Sequence, residues 1–314
     1  MGGTAPDAGA MYGGSRASTF MGLPGGALDG FDAGIAVLGV PCATPYGRVG
    51  AYCADAPGAI RAAMAHYAAT IEHHDFDLGG PLLGGNGVKA VDLGDLACAP
   101  DDPAGNRARI HAATRTILSR GAVPVLIGGD DSVQIPNLQA FAEAGRHVIV
   151  QVDAHIDWRD EVDGERMGLS STMRRAAEMG AFERIIQVGQ RGTGSARPRD
   201  LADAKAAGCV FVSGQAVQEE GIGAVLDLVP SGSKVIFAFD CDGLDPSIMP
   251  AVIAPTPGGL SYWQMVGLLQ GVAAKARIAG FNLVEFMPAR DRDGAGALVA
   301  GRILANVIGV LARG

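Results

Sequence analysis

The chain has 314 residues, 48% of them hydrophobic and 18% charged, enough to bury the core of one large α/β domain. Its 47 glycines and 17 prolines lie between apolar runs and form no low-complexity tract, which excludes a disordered chain. A net charge of -8 without any basic cluster argues against nucleic acid and membrane as partners and suits a cationic ligand.

Residues 1–30, rich in Gly and Ala, are expected to be an N-terminal extension. They lack the basic start and apolar stretch of a signal peptide. Residues 31–314 are expected to form a single catalytic domain. No apolar run reaches the roughly 18 residues of a membrane span. The cysteines (Cys42, Cys53, Cys98, Cys209 and Cys241) are odd in number and show no CxxC spacing, so they read as reduced thiols of a cytoplasmic protein.

In chain order the pattern predicts a strand over 34–40, a helix over 57–68 and a strand over 88–93. A helix follows over 106–120, with Ile110, Ala113, Ile117 and Leu118 on one stripe. Strands are then predicted over 123–127, 147–152, 184–188, 210–212, 234–239 and 278–284. Helices over 136–144, 171–179, 198–207, 215–228, 262–274 and 297–311 lie between and after them. Most of the strands are continuous apolar runs, the signature of burial on both faces of a parallel sheet. Regular alternation predicts a three-layer α/β/α sandwich around a mainly parallel sheet of about eight strands.

In such sheets chemistry collects in the loops after the strands. Here those loops carry Asp130-Asp131, Asp153-Ala154-His155-Ile156-Asp157 and Asp240-Cys241-Asp242. Spacing by two puts Asp153, His155 and Asp157 on one side of an extended backbone, and Asp240 and Asp242 likewise. Carboxylates gathered that closely repel, so a cation is needed among them. An oxygen-rich set with one imidazole suits Mn²⁺ or a neighbouring first-row ion, and the donors suffice for two ions. The competing reading is that each Asp caps a helix or tightens a turn.

These segments resemble the ureohydrolase family of arginase and agmatinase, nearest its agmatinase branch. Gly128-Gly129-Asp130-Asp131-Ser132 resembles the GGDHS motif, Asp153–Asp157 the DAHxD motif, and the segment from Phe239 to Pro246 the SxDxDxxDP motif. Similar stretches are Gly39-Val40-Pro41 with Arg48, the run from Ala56 to Arg61, the run from Ala254 to Gly259, and the run from Gly280 to Pro288.

The resemblance, which spans residues 30–312, implies an arginase-like fold. It also implies a metal-dependent amidinohydrolase that cleaves a guanidino C–N bond of a small cationic, agmatine-like substrate to urea and an amine. Two divalent ions per chain are implied, Mn(II) first, with Ni(II) or Co(II) as alternatives. By position, Asp153 and Asp240 would bridge the pair, Asp131 and Asp157 would complete one ion, and His155 and Asp242 the other. Asp157 would also return a proton to the leaving amine. Glu285 would grip the guanidinium, a role that suits a two-oxygen carboxylate facing a planar cation. Relatives assemble as trimers or hexamers, so a homo-oligomer is implied. Alternatives within the resemblance are the same chemistry on guanidinobutyrate, guanidine or a biguanide, or a weak partner subunit of an active paralogue.

Two positions depart from the family pattern. Asp131 stands where the family has a His ligand, and Leu169 stands where a second His is frequent. Five carboxylates and one imidazole leave two divalent ions one negative charge in excess, which should raise the pKa of bound water and favour a cationic substrate. His73 and His74 offer a replacement imidazole, with a surface role as the plainer reading. The Gly-rich stretches around residues 79–85 and 192–194 lack the strand–GxGxxG–helix context of a nucleotide site.

Overall fold

The computed structural model describes residues 17–42 and 46–314. Residues 1–16 of the expected N-terminal extension lie outside the described residues. The part of it that is described contributes Phe20, Met21 and Leu23 to the main hydrophobic core.

Eight strands form one sheet: β1 (Ile35–Val40), β2 (Ala90–Asp95), β3 (Val123–Gly128), β4 (His147–Val152), β5 (Phe182–Val188), β6 (Val210–Val212), β7 (Lys234–Asp240) and β8 (Arg277–Val284). Their order across the sheet is β2-β1-β3-β8-β7-β4-β5-β6, and every neighbouring pair is parallel. β1 and β4 are buried along their whole length, β1 as an unbroken apolar run and β4 with His147 and Gln151 enclosed among its apolar residues.

The helices are α1 (Ala56–Met64), α2 (Pro103–Ser119), α3 (Gln134–Ala144), α4 (Thr172–Glu178), α5 (Pro198–Ala206), α6 (Gly214–Glu220), α7 (Gly223–Leu228), α8 (Tyr262–Ala273) and α9 (Ala295–Leu311). They cover both faces. α1, α8 and α9 close over the larger core beneath β3, β7 and β8, and smaller clusters of α2 and of α3–α5 fill the opposite face.

Two boundaries differ from the periodicity. The stretch expected as one helix over 215–228 is two, because Gly221 adopts φ +76° and ends α6. The first helix tightens into a 3-10 segment over Ala65–Thr70. Arg61 of α1 is buried and paired with Asp92 (Nε to Oδ2, 2.7 Å) and with Asp95, so it clamps the helix onto β2. Breaking such a pair would leave a buried charge uncompensated.

Candidate active site

Four adjacent strands deliver the acidic residues. β3, β8, β7 and β4 lie side by side, so Asp130-Asp131, Glu285, Asp240–Asp242 and Asp153–Asp157 all emerge at one edge of the sheet. Register fixes their level: Val152 pairs with Phe239, and Asp240 with Val284, so Asp153 and Glu285 follow immediately beside Asp240.

Backbone contacts then aim the side chains. Asp153 Oδ1 accepts from His155 N at 2.5 Å, Asp240 Oδ1 from Asp242 N at 2.7 Å, and Asp242 Oδ1 from Ala154 N at 2.9 Å. Arg191 ties the β7 loop by donating to the carbonyls of Asp242, Leu244 and Thr256 at 2.6, 3.1 and 2.7 Å. Asp245 has a structural task, accepting from the N–H groups of Ser247 and Gly258. Glycine is required at Gly129, where a Cβ would lie 2.2 Å from the Pro41 carbonyl oxygen. Glu285 and Asp157 hold positive φ of 65° and 44°, a strained conformation for non-glycine residues that concentrates at functional sites.

Two sets of donor atoms result. Those of Asp131, Asp153 and Asp240 lie within 4.8 Å of one another, as do those of Asp153, His155 and Asp242, with Asp153 common to both. Asp157 falls in neither set but stands alongside: the Gln151 amide donates to Asp153 Oδ2 at 2.7 Å and to Asp157 Oδ2 at 2.8 Å. His155 Nδ1 lies 3.0 Å from Asp242 Oδ2 and 3.4 Å from Asp153 Oδ1.

Burial, then the neighbouring carboxylates, drive Asp131, Asp157 and Asp240 well above the usual carboxylate range, and the same causes push Asp153 up to about 7. Burial with Asp130 nearby raises Glu285 likewise. Asp242 is the exception. Burial works against its charge, yet the His155 imidazole and the Ala154 N–H hold its carboxyl below the ordinary value. Without a metal, the imidazole is the one cation within either donor set.

This donor set fits a pair of divalent ions. Asp131 Oδ2 is buried without a hydrogen-bond partner, a costly state that an ion would relieve. The capping alternative for Asp131 does not describe the geometry. Asp130 is the residue that caps the short Asp131–Val133 turn, accepting from Ser132 N at 3.1 Å. Asp131 instead belongs to the donor cluster, and its Oδ1 accepts from the Gln134 amide.

Residues 33–309 match the arginase family model. The chain belongs to the arginase family. Among curated relatives, formimidoylglutamase of Halobacterium salinarum is 32% identical over 83% of this chain and 82% of its own length. N(1)-aminopropylagmatine ureohydrolase of Thermus thermophilus is 38% identical over 54% of this chain, and the match spans 57% of that enzyme. In structure, proclavaminate amidino hydrolase of Streptomyces clavuligerus superposes with a TM-score of 0.82 at 26% identity, covering 95% of this chain and 98% of the other. The all-parallel eight-stranded sheet is thus the arginase-like fold.

Around the carboxylate cluster stand residues that pattern reading missed. The Tyr52 hydroxyl donates to Glu285 Oε1 at 2.8 Å and Oε2 at 2.7 Å, while Asp131 N donates to Oε1 at 2.7 Å. Gln187 donates to the Oε1 of Gln151, its register partner across β4 and β5, and holds it in place. The signal for Gln151 was present: it is a polar residue inside an otherwise apolar strand, two positions before Asp153. Tyr52 left no such signal, because its partner lies 233 residues away.

Beside Leu169, the Tyr46 hydroxyl accepts from Ser170 N at 3.2 Å, and its ring packs on Gly168. His73 and His74 are exposed. They line a separate surface cavity of about 350 Å³ with Asp75, Asp77 and Arg302, none of which belongs to the carboxylate cluster.

Proposed function

We propose that this chain is a two-metal amidinohydrolase that cleaves the guanidino C–N bond of a small cationic substrate, agmatine-like in charge, to urea and an amine. The observation that carries the reading is the shared carboxylate: two three-donor sets meet at Asp153, with Glu285 one hydrogen bond from the backbone of Asp131. Asp131, Asp153, Asp157 and Asp240 would hold one ion, and Asp153, His155, Asp240 and Asp242 the other. When bound, such a pair supplies a water activated at neutral pH. The oxygen-rich set favours Mn(II), with Ni(II) or Co(II) next.

The remaining work falls to side chains. Glu285 pairs with the planar guanidinium and sets its carbon over the metal-facing carboxylates. Tyr52 and the Asp131 N–H hold that carboxylate in orientation. Asp157, held in place by Gln151, passes to the departing amine the proton that it needs. The anionic surplus left by Asp131 supports a cationic substrate over an anionic one. The relatives support the chemical class, since guanidino and formimidoyl groups share an amidine-type carbon bonded to nitrogen. We place this activity in the cytoplasm, in a homo-oligomer. Among the described residues no helix is long and apolar enough to cross a membrane.

The deciding experiment is urea and amine release from a panel of guanidines, including agmatine, guanidinobutyrate, guanidine and a biguanide. It follows reconstitution with Mn²⁺, Ni²⁺, Co²⁺ or Zn²⁺. Turnover of a cationic guanidine with any of these ions supports the reading; none across the panel removes it.

A further inference from the structure

Away from the carboxylates, two thiols are brought together by the topology. Gly39 of β1 pairs with Asp95 of β2, and Cys42 and Cys98 lie in the loops that follow, two residues beyond β1 and three beyond β2. Leu96 N donates to the Gly39 carbonyl at 2.8 Å, so the two loops leave the sheet side by side. Each thiol shifts the other's ionisation, as neighbouring thiols do.

One side chain locks the pair. The Asn106 amide donates to Cys42 Sγ at 3.5 Å and to the Ala99 carbonyl at 2.6 Å, while its Oδ1 accepts from Ala99 N at 2.9 Å. Cys42 is buried and Cys98 is half-buried, so Cys98 is the more accessible residue of the two.

We propose that Cys98 and Cys42 form a peroxide-sensitive dithiol site, with Cys98 the sulfur oxidised first and Cys42 the sulfur that resolves it into a disulfide. The Cys98 thiolate attacks the O–O bond of a hydroperoxide, giving Cys98–SOH and releasing hydroxide or alkoxide, which takes up a proton. Cys42 sulfur then displaces the hydroxyl, which leaves as water with the Cys42 proton. Two thiols lose two electrons in all, and the peroxide gains them. The surroundings suit this division of labour. The Cys42 thiol draws Cys98 down to about 7, with the Cys42 N–H and the Arg109 charge assisting against burial, whereas Cys98 and burial together raise Cys42. Cys53, Cys209 and Cys241 are raised by burial, so they serve as unreactive controls.

The test treats the full-length, metal-loaded protein with hydrogen peroxide under native conditions, then counts thiols after denaturation. Two of the five thiols should be lost. A proteolytic cross-link should join the peptides carrying residues 42 and 98, and a dithiol reductant should reverse both changes. Cys42→Ser should leave a sulfenic acid on Cys98 that a dimedone-type nucleophile traps. Cys98→Ser should slow thiol loss by about tenfold or more. The proposal fails if the wild-type protein gains oxygen on Cys98 without a cross-link, or if all five thiols survive. It fails equally if Cys42 is oxidised at the wild-type rate in Cys98→Ser. The cross-link is read on the wild-type chain, so a misfolded variant does not shield the idea.

Discussion

The Tyr52 hydroxyl stands 2.8 Å from one oxygen of Glu285 and 2.7 Å from the other, so a single phenol spans the open edge of a buried carboxylate. A hydrogen bond of this kind favours the ionised acid, and Tyr52 opposes the upward push that burial and Asp130 exert on Glu285. Removing the donor should therefore leave Glu285 harder to ionise. Tyr52→Phe is expected to retain its metal, to raise KM for the best guanidine by about tenfold, and to move the acidic limb of kcat/KM to higher pH. A purely structural tyrosine would lower the folded fraction without moving the limb, so a pH profile identical to wild type would remove Tyr52 from the site.

For Glu285 itself, the carboxylate-to-amide change keeps shape and removes charge. Glu285→Gln should bind the same metal complement and lose kcat/KM by roughly ten- to a hundredfold, the equivalent of about 1.5–3 kcal/mol for a charge-assisted bond. Elemental analysis and steady-state kinetics on the same sample check both halves. Unimpaired kcat/KM would show that the guanidinium is held elsewhere.

Metal removal should have a signature in stability as well as in turnover. Asp153 titrates near 7 in the folded, metal-free chain and near its ordinary value of 3.8 when unfolded. A raised acid binds its proton more tightly when folded, so stability is present at low pH and is lost as pH rises from about 4 to about 7. Asp131, Asp157 and Asp240 shift in the same direction and add to the slope. The lowered Asp242 acts oppositely, but only as pH falls through its own range below this window. Melting temperature in chelator should thus decline between about pH 4.5 and 7.5. Added Mn²⁺ should restore more stability at the upper end than at the lower. A chelated protein whose melting temperature is flat or rising over that interval contradicts the carboxylate cluster.

Much of this arrangement was legible in the chain, and what was not has a physical reason. Buried parallel strands announce themselves as apolar runs, and all eight predicted positions carry a strand. The Asp and His ligand candidates were legible because spacing by two after a strand fixes a direction in space. Helix limits were less legible. Nothing in the 215–228 periodicity reveals that Gly221 turns left-handed, since glycine is tolerated in either state. The long-range partners were not legible at all. Tyr52 reaches Glu285, and Cys42 reaches Cys98, only because β1 sits between β2 and β3 with β8 next in line. Strand order is set by global packing and leaves no mark on the local pattern.

Asp131 is the site residue for which the geometry sharpens the test. Capping belongs to Asp130, while Asp131 shares a donor set with Asp153 and Asp240 and leaves one oxygen buried without a partner. Asp131→Asn keeps the shape but removes the charge and offers one oxygen in place of two. It should lose most of the metal in that set and most of the activity. Asp131→His should bind metal again, because an imidazole is a competent ligand, but with a changed preference toward Ni²⁺, Co²⁺ or Zn²⁺. It also removes one negative charge from the shell, so bound water should ionise more readily and the acidic limb of the rate profile should fall to lower pH. Metal stoichiometry and pH dependence measured side by side for the wild type, Asp131→Asn and Asp131→His separate a ligand from a bystander. Were all three to carry the same metal and share one profile, Asp131 would have no part in the metal centre, and the surplus charge that supports a cationic substrate would have to come from another residue.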